Sequence, residues 1–312
     1  MAIHEVKDLF PDYLRYLWKY VEEEKENLQE IRMRAEKPIL ILLHNQEFFI
    51  HPKGFLTKKK EEGYIVTVAD IEHTINYLCQ YSIYAFEEEM KQGYFTIQGG
   101  HRIGIAGRMI LEQGNIKNMQ YISSANIRLA HEIKGVADGI LPYIYHHHML
   151  LNTMIISSPG AGKTTLLRDL IRQISDGNEY AEGRTVGVVD ERSEIGGCYR
   201  GIPQNDIGIR TDVLDACPKI YGMMMLIRAM SPRVVAIDEI GNNEDVMALK
   251  QVLQCGCKLL VTVHGNDLQE VWRKPWYKDI LEEELFQRFI VLKKQKHVGE
   301  VMGIYNEKGI CL

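Results

Sequence analysis

Residues 157–165 read SSPGAGKTT, and that string leaves few folds open to the chain. The apolar run NTMIISS precedes it and the amphipathic stretch TLLRDLIRQI follows, so it reads as the turn of a strand–loop–helix unit. Phosphate oxygens need several backbone N–H donors converging on one point, and Gly160 and Gly162 let the chain curl tightly enough to supply them. In this pattern Ser158, Pro159, Gly160, Ala161 and Gly162 form the cradle. Lys163 reaches the β- and γ-phosphates, Thr164 offers its hydroxyl to a metal, and Thr165 completes the binding set. The expected ligand is ATP with Mg²⁺. Ser157 stands where the motif ordinarily has glycine.

Three further segments carry acids or a histidine at the ends of apolar runs. RVVAIDEIG would end a strand in Asp238, a carboxylate beside Thr164 that holds a water ligand of the metal, with Glu239 over the γ-phosphate polarising the attacking water. KLLVTVHG is expected as a parallel strand between that one and the P-loop strand. It would carry Thr262 or His264 to the carboxyl edge of the sheet, where His264 can sense the γ-phosphate. VVDERSEIGG crowds Asp190, Glu191 and Glu194 at a strand end, a clustering that needs a cation to offset it. Glu194 or Glu191 is expected to position water or Mg²⁺. Charge on the transferred phosphoryl group needs an arginine. Candidates are Arg102, Arg108, Arg128, Arg192, Arg200, Arg210 and Arg228, with Arg128 taken into the candidate catalytic set.

TVGVVD, RVVAID and KLLVTVH are continuous apolar runs of the kind buried on both faces of a parallel sheet. They predict an α/β fold: a RecA-like P-loop ATPase core, mainly parallel sheet with helices on both faces, over residues 131–312, and a smaller α+β domain over 1–130. With 312 residues the chain is long enough for both. Within the first part, residues 5–35 read as an amphipathic helix followed by a polar turn. ILILL, EFFI and YIVTV read as strands, Asp70 as the cap of a helical stretch to about Met90, and YFTIQGGHRIGIAGRMI as a hairpin. HEIKGVADGILPYIYHH reads as a linker helix, with His146, His147 and His148 pointing in different directions and therefore solvated. RFIVLKKQKHVGEVMGIYNEKG reads as antiparallel strands at the sheet edge.

A net charge of −5 gives no general attraction for nucleic acid. The six cysteines form no CxxC pair and read as free thiols. The N-terminus has charges where a signal peptide needs an apolar core, and no window reaches membrane-span length. The expected location is the cytoplasm, with any membrane contact made through a partner.

The P-loop, the acids of DERSEI, LIRAMSPRVVAIDEIG and VTVHG together resemble the type II, type IV and pilus-retraction secretion ATPases. By that resemblance Glu194 falls on the catalytic glutamate of those enzymes and Glu239 on their second acid. HRIGIAGR, NIRLA, TTLLRDLIR, VGVVDERSEIGG, GMMM and IYNEKG are similar, more narrowly, to the stage III sporulation protein AA family. The resemblance implies an ATPase of the mother cell that works as a homohexamer. It would energise a secretion-like channel with other stage III membrane proteins that recruit it peripherally. Two other readings stay open: an ATPase acting on single-stranded nucleic acid, disfavoured because the chain ends at Leu312 soon after its edge strands, and a nucleotide-dependent assembly scaffold with little turnover.

Overall fold

The computed structural model describes residues 5–294 and 298–312. The chain divides into two compact units, the first ending at His131 and the second spanning Glu132–Leu312. The first opens with three 3-10 helices, Val6–Leu9, Asp12–Trp18 and Glu22–Asn27, which bury Leu9, Phe10, Leu14, Leu17 and Trp18. There follow β1 (Leu28–Arg34), β2 (Leu40–Leu43), β3 (Gln46–Ile50), β4 (Leu56–Thr57), α1 (Val68–Leu78), α2 (Glu87–Lys91), β5 (Tyr94–Thr96), β6 (Arg102–Glu112) and β7 (Asn115–Arg128). Among the described residues these strands make one antiparallel sheet in the order β4-β3-β2-β1-β7-β6-β5.

Several local expectations give way here. The helix expected over 5–35 is replaced by the 3-10 turns and by β1, because Ile31 and Met33 point into the core between outward Arg32 and Arg34. Pairing on both sides, with β2 and β7, outweighs the helical propensity of Leu, Glu and Arg. YIVTV is not a strand: Ile65 makes a single bridge to Pro38. Thr67, not Asp70, caps α1. Asp70 is the third residue of the helix, and its carboxylate accepts the Thr67 N–H while its own N–H donates to Thr67 Oγ1. The helix stops at Cys79, where Gln80 and Tyr81 turn into the left-handed region.

The second unit begins with α3 (Leu141–Ile144) and the short hairpin β8 (Tyr145–His146) and β9 (Met149–Leu150). The linker helix is thus only one turn long. His147 and His148 form the tight hairpin turn, both with positive φ. Next come β10 (Thr153–Ser157), α4 (Lys163–Asp176), the two-residue strands β11 (Gly177–Asn178) and β12 (Ala181–Glu182), β13 (Val186–Asp190), β14 (Thr211–Asp215), α5 (Lys219–Met230), β15 (Val234–Ile240), α6 (Asn243–Gln254) and β16 (Lys258–His264). The unit ends with α7 (Leu268–Trp272), α8 (Tyr277–Glu282), β17 (Arg288–Leu292) and β18 (Val301–Asn306).

Among the described residues the large sheet runs β14-β13-β15-β16-β10-β17-β18. All neighbours are parallel except β17 and β18. The C-terminal stretch therefore supplies one parallel and one antiparallel strand; its residues 295–297 lie outside the described residues. Alternate residues of β10 point to opposite faces. Ile155 packs with Leu166, Leu170 and Ile171 of α4 on one side, and Met154 and Ile156 with the cluster of α5, α6 and α8 on the other. Parallel pairing delivers the ends of β10, β13, β15 and β16 to one edge of the sheet, the position where open α/β sheets carry their ligands.

Candidate phosphate and metal site

β10 ends in Ser157, fully buried, whose Oγ donates to the Ser158 carbonyl at 3.0 Å. That contact accommodates a serine where the motif ordinarily has glycine. Gly160 and Gly162 have φ of 77° and 93°, and Gly162 caps α4. A β-carbon on Gly162 would stand 2.5 Å from Val298 Cγ1 and 2.6 Å from the Gly299 nitrogen. Val298 and Gly299, just before β18, close on the loop at that point, with Gly299 N–H donating to the Ala161 carbonyl at 3.0 Å. Glycine is required at 162 by conformation and by space. Lys163 and Thr164 then open α4, at the positive end of its dipole.

Thr164 Oγ1 donates to Asp238 Oδ2 at 2.8 Å. The other carboxylate oxygen, Oδ1, accepts a short hydrogen bond from the buried Thr262 hydroxyl. Thr262 Oγ1 also accepts the Glu239 N–H at 2.8 Å. The pairing of β15 with β16 shifts register between Ile237 and Ile240, and Glu239 adopts a left-handed φ of 60° in the resulting bulge. A non-glycine residue in that region is costly and survives only where neighbours impose it. Its carboxylate is held by His264 Nε2 at 3.0 Å and Arg192 Nη1 at 3.0 Å. Among the described residues, His264 Nδ1 is buried without a hydrogen-bond partner.

The acid cluster after β13 separates into distinct roles. Asp190 is almost fully buried, and its oxygens accept the N–H groups of Glu194, Ile195 and Gly196 at 2.8–2.9 Å. Burial pushes its carboxyl up to about 6 in spite of those three donors. Arg168 of α4 closes the same loop, donating to the Glu194 carbonyl at 2.7 Å and the Ile195 carbonyl at 2.8 Å. Glu191 is paired with Lys219 Nζ at 3.2 Å, while Glu194 lines the cavity. That cavity, of about 270 Å³, sets six carboxylates against the basic side chains of Arg192, Lys219, His264 and Lys274.

The structure thus gathers Asp238, Glu239, Glu191, Glu194 and His264 around one cavity and sets Asp238 against Thr164 of the P-loop. Arg128 belongs to β7 of the first unit, where it pairs with Glu30 at 3.3 Å. Among the candidate arginines, Arg192 meets Glu239. Sequence reasoning passed over Lys219, Asp245, Lys274 and Arg168. A signal for Lys219 was present: it opens α5 directly after Pro218, where a helix dipole disfavours a cation unless acids surround it. Arg168 sits in an amphipathic helix and reads there as an ordinary solvent-facing residue.

Strand order, phosphate loop and opposed carboxylate form a P-loop α/β core, the fold also found in solved ATPases of secretion and pilus machines. The Legionella pneumophila ATPase DotB shares it, with a TM-score of 0.59 and 16% identity over 90% of this chain and 76% of that one. So does the pilus retraction motor PilT, solved with bound ADP, with a TM-score of 0.55 and 14% identity over 88% and 77% of the two chains. Stage III sporulation protein AA of Bacillus subtilis (strain 168) is 41% identical over 311 residues, 99% of this chain and 97% of that protein. The chain belongs to the family described as sporulation stage III, protein AA, which matches residues 3–312. Among the described residues no helix is long and apolar enough to cross a membrane.

Proposed function

We propose that this chain is a Mg²⁺-dependent ATPase that energises assembly of, or transport through, a channel between mother cell and forespore. The observation that carries the reading is the 2.8 Å contact of Thr164 with Asp238 at the first turn of the helix opened by Lys163. Hydroxyl and carboxylate oxygens are the hard donors that suit Mg²⁺, and the positive φ of Gly160 and Gly162 curls the loop tightly enough for backbone N–H groups to converge on phosphate. A bound Mg²⁺ would offset negative charge on the β- and γ-phosphate oxygens.

The protein's own groups do the rest. The backbone of residues 158–162 and the Lys163 ammonium bind the phosphates, Thr164 and Asp238 hold the ion, and Thr165 extends the binding set. Glu239 orients the attacking water and accepts its proton, with His264 and Arg192 aiming the carboxylate. Glu191 and Glu194 shape the acidic side of the cavity, and Arg128 remains the candidate cation for the transition state. The proposed working form is a homohexamer in the mother-cell cytoplasm, recruited to membrane by other stage III proteins, with nucleic acid not among its partners; membership of the sporulation stage III, protein AA family supports the setting.

Phosphate release and ATP affinity measured together test this. Lys163→Ala should lose both, whereas Glu239→Gln should keep ATP binding and lose turnover by about 10²–10⁴-fold. Wild-type rates in both variants would defeat the proposal. ATP-driven association of a wild-type chain that releases no phosphate would replace the motor with an assembly scaffold.

A further inference from the structure

We infer that Lys219 is a positioning residue for hydrolysis, holding Glu239 in the backbone conformation that aims its carboxylate; the inference rests on the ATPase reading above. At a sheet bulge the ladder no longer fixes the backbone, so something else must. At Glu239 side chains replace the ladder at both ends of the residue. Its N–H is bound by Thr262 Oγ1 at 2.8 Å, and its carbonyl accepts Lys219 Nζ at 2.6 Å. The same ammonium reaches Glu191 Oε2 at 3.2 Å and Asp245 Oδ2 at 3.8 Å.

Asp245 in turn accepts the Gly241 N–H at 2.9 Å, and the Ile240 side chain between them is buried in the core. The bulge is therefore tied at 239, 240 and 241 by groups from β16, α5 and α6. Lys219 is the member that bridges to the acidic loop after β13, because it binds Glu191 as well as the bulge carbonyl. Its side chain is only 15% exposed. An ammonium so enclosed, with the Glu239 carbonyl and the Glu191 carboxylate at close range and the Asp245 charge behind them, is held in one geometry. Lys219 touches no reacting atom; it acts by keeping Glu239 in its left-handed conformation with the carboxylate facing the cavity.

The test is a double-mutant cycle on the full-length chain, reading kcat, KM for ATP and melting temperature for wild type, Lys219→Met, Glu239→Gln and the pair. Lys219→Met should lower kcat about 10–100-fold, with KM within about threefold of wild type. In the Glu239→Gln background the same change should cost almost nothing further, since the carboxylate it positions is gone. Lys219→Arg, which keeps the charge and the donors, should recover part of the turnover. Equal loss in both backgrounds, or a wild-type kcat for Lys219→Met, overturns the positioning role while leaving the ATPase reading intact. A wild-type chain without ATP turnover overturns both. Should the Met variant not fold, Lys219→Gln takes its place: it must lower kcat with ATP affinity preserved, and unchanged kcat refutes the role.

Discussion

Replacing Gly162 with alanine probes the phosphate loop at its tightest point. The new β-carbon forces a non-glycine residue to φ 93°, a penalty of about 1–3 kcal/mol. It also meets the Val298 methyl at 2.5 Å and the Gly299 backbone nitrogen at 2.6 Å. The methyl can rotate aside but the backbone cannot, so the chain at Gly299 must lift, an overpacking cost of about 1–3 kcal/mol. Lifting it also breaks the hydrogen bond from Gly299 N–H to Ala161 O, worth about 0.5–1.5 kcal/mol. Together these amount to about 2.5–7.5 kcal/mol, or a fall in melting temperature of about 5–30 °C for a unit of this size.

Two companion variants separate the causes. Gly256 has φ 81° with open space around its β-position, so Gly256→Ala carries the conformational penalty alone. Gly139 has open space and no positive φ, so Gly139→Ala should be nearly neutral. Thermal unfolding followed by circular dichroism, with ATP and Mg²⁺ titrated by calorimetry, ranks the three. A Gly162→Ala protein that melts with Gly139→Ala and binds ATP like wild type would refute this account of the loop.

Three further outcomes follow from the site. Burial lifts the Asp190 carboxyl from 3.8 to about 6, so between those values the folded chain keeps a proton that the unfolded chain has released. Stability then falls as pH rises through the window, by about 1.4 kcal/mol per unit where the two states differ by a full proton. Urea midpoints at pH 4.5 and 6.5 should differ by less in Asp190→Asn than in wild type; an unchanged difference contradicts the assignment. Arg168→Met keeps bulk but removes two charged donors from the Glu194 and Ile195 carbonyls, and should lower stability by about 3 kcal/mol. Faster proteolysis after residue 190 would accompany it, and a wild-type urea midpoint would count against it. Thr262→Val preserves shape but orphans the Glu239 N–H, costing about 1–3 kcal/mol of stability together with turnover, read from denaturation and phosphate release.

What could be read in advance depended on how local the cause was. The phosphate loop is a contiguous string, and its glycines and lysine carry their meaning without distant neighbours. β13, β15 and β16 announce themselves as unbroken apolar runs because both faces of a parallel sheet are buried. β1 was missed although Ile31 and Met33 alternate inward, because LQEIRMR also satisfies helical propensity and only its partners β2 and β7 decide the matter. The acid cluster shows the same limit. Its sequence presents several like charges, yet one carboxylate, Asp190, is consumed in folding its own loop, and Glu191 is answered by a lysine nearly thirty residues away, Lys219. The placing of Glu239 in a left-handed bulge leaves no trace in the letters DEIG, since it arises from a register shift against β16.

The central claim is that Thr164 and Asp238 hold the metal that serves the phosphates bound by the loop. Steady-state ATP hydrolysis titrated with Mg²⁺, in wild type and in Asp238→Asn, addresses it directly. Saturable Mg²⁺ activation in the wild type is predicted, with the variant needing at least about tenfold more ion to reach half-activation. Identical Mg²⁺ curves for the two proteins, or hydrolysis that persists undiminished in chelator, would contradict it.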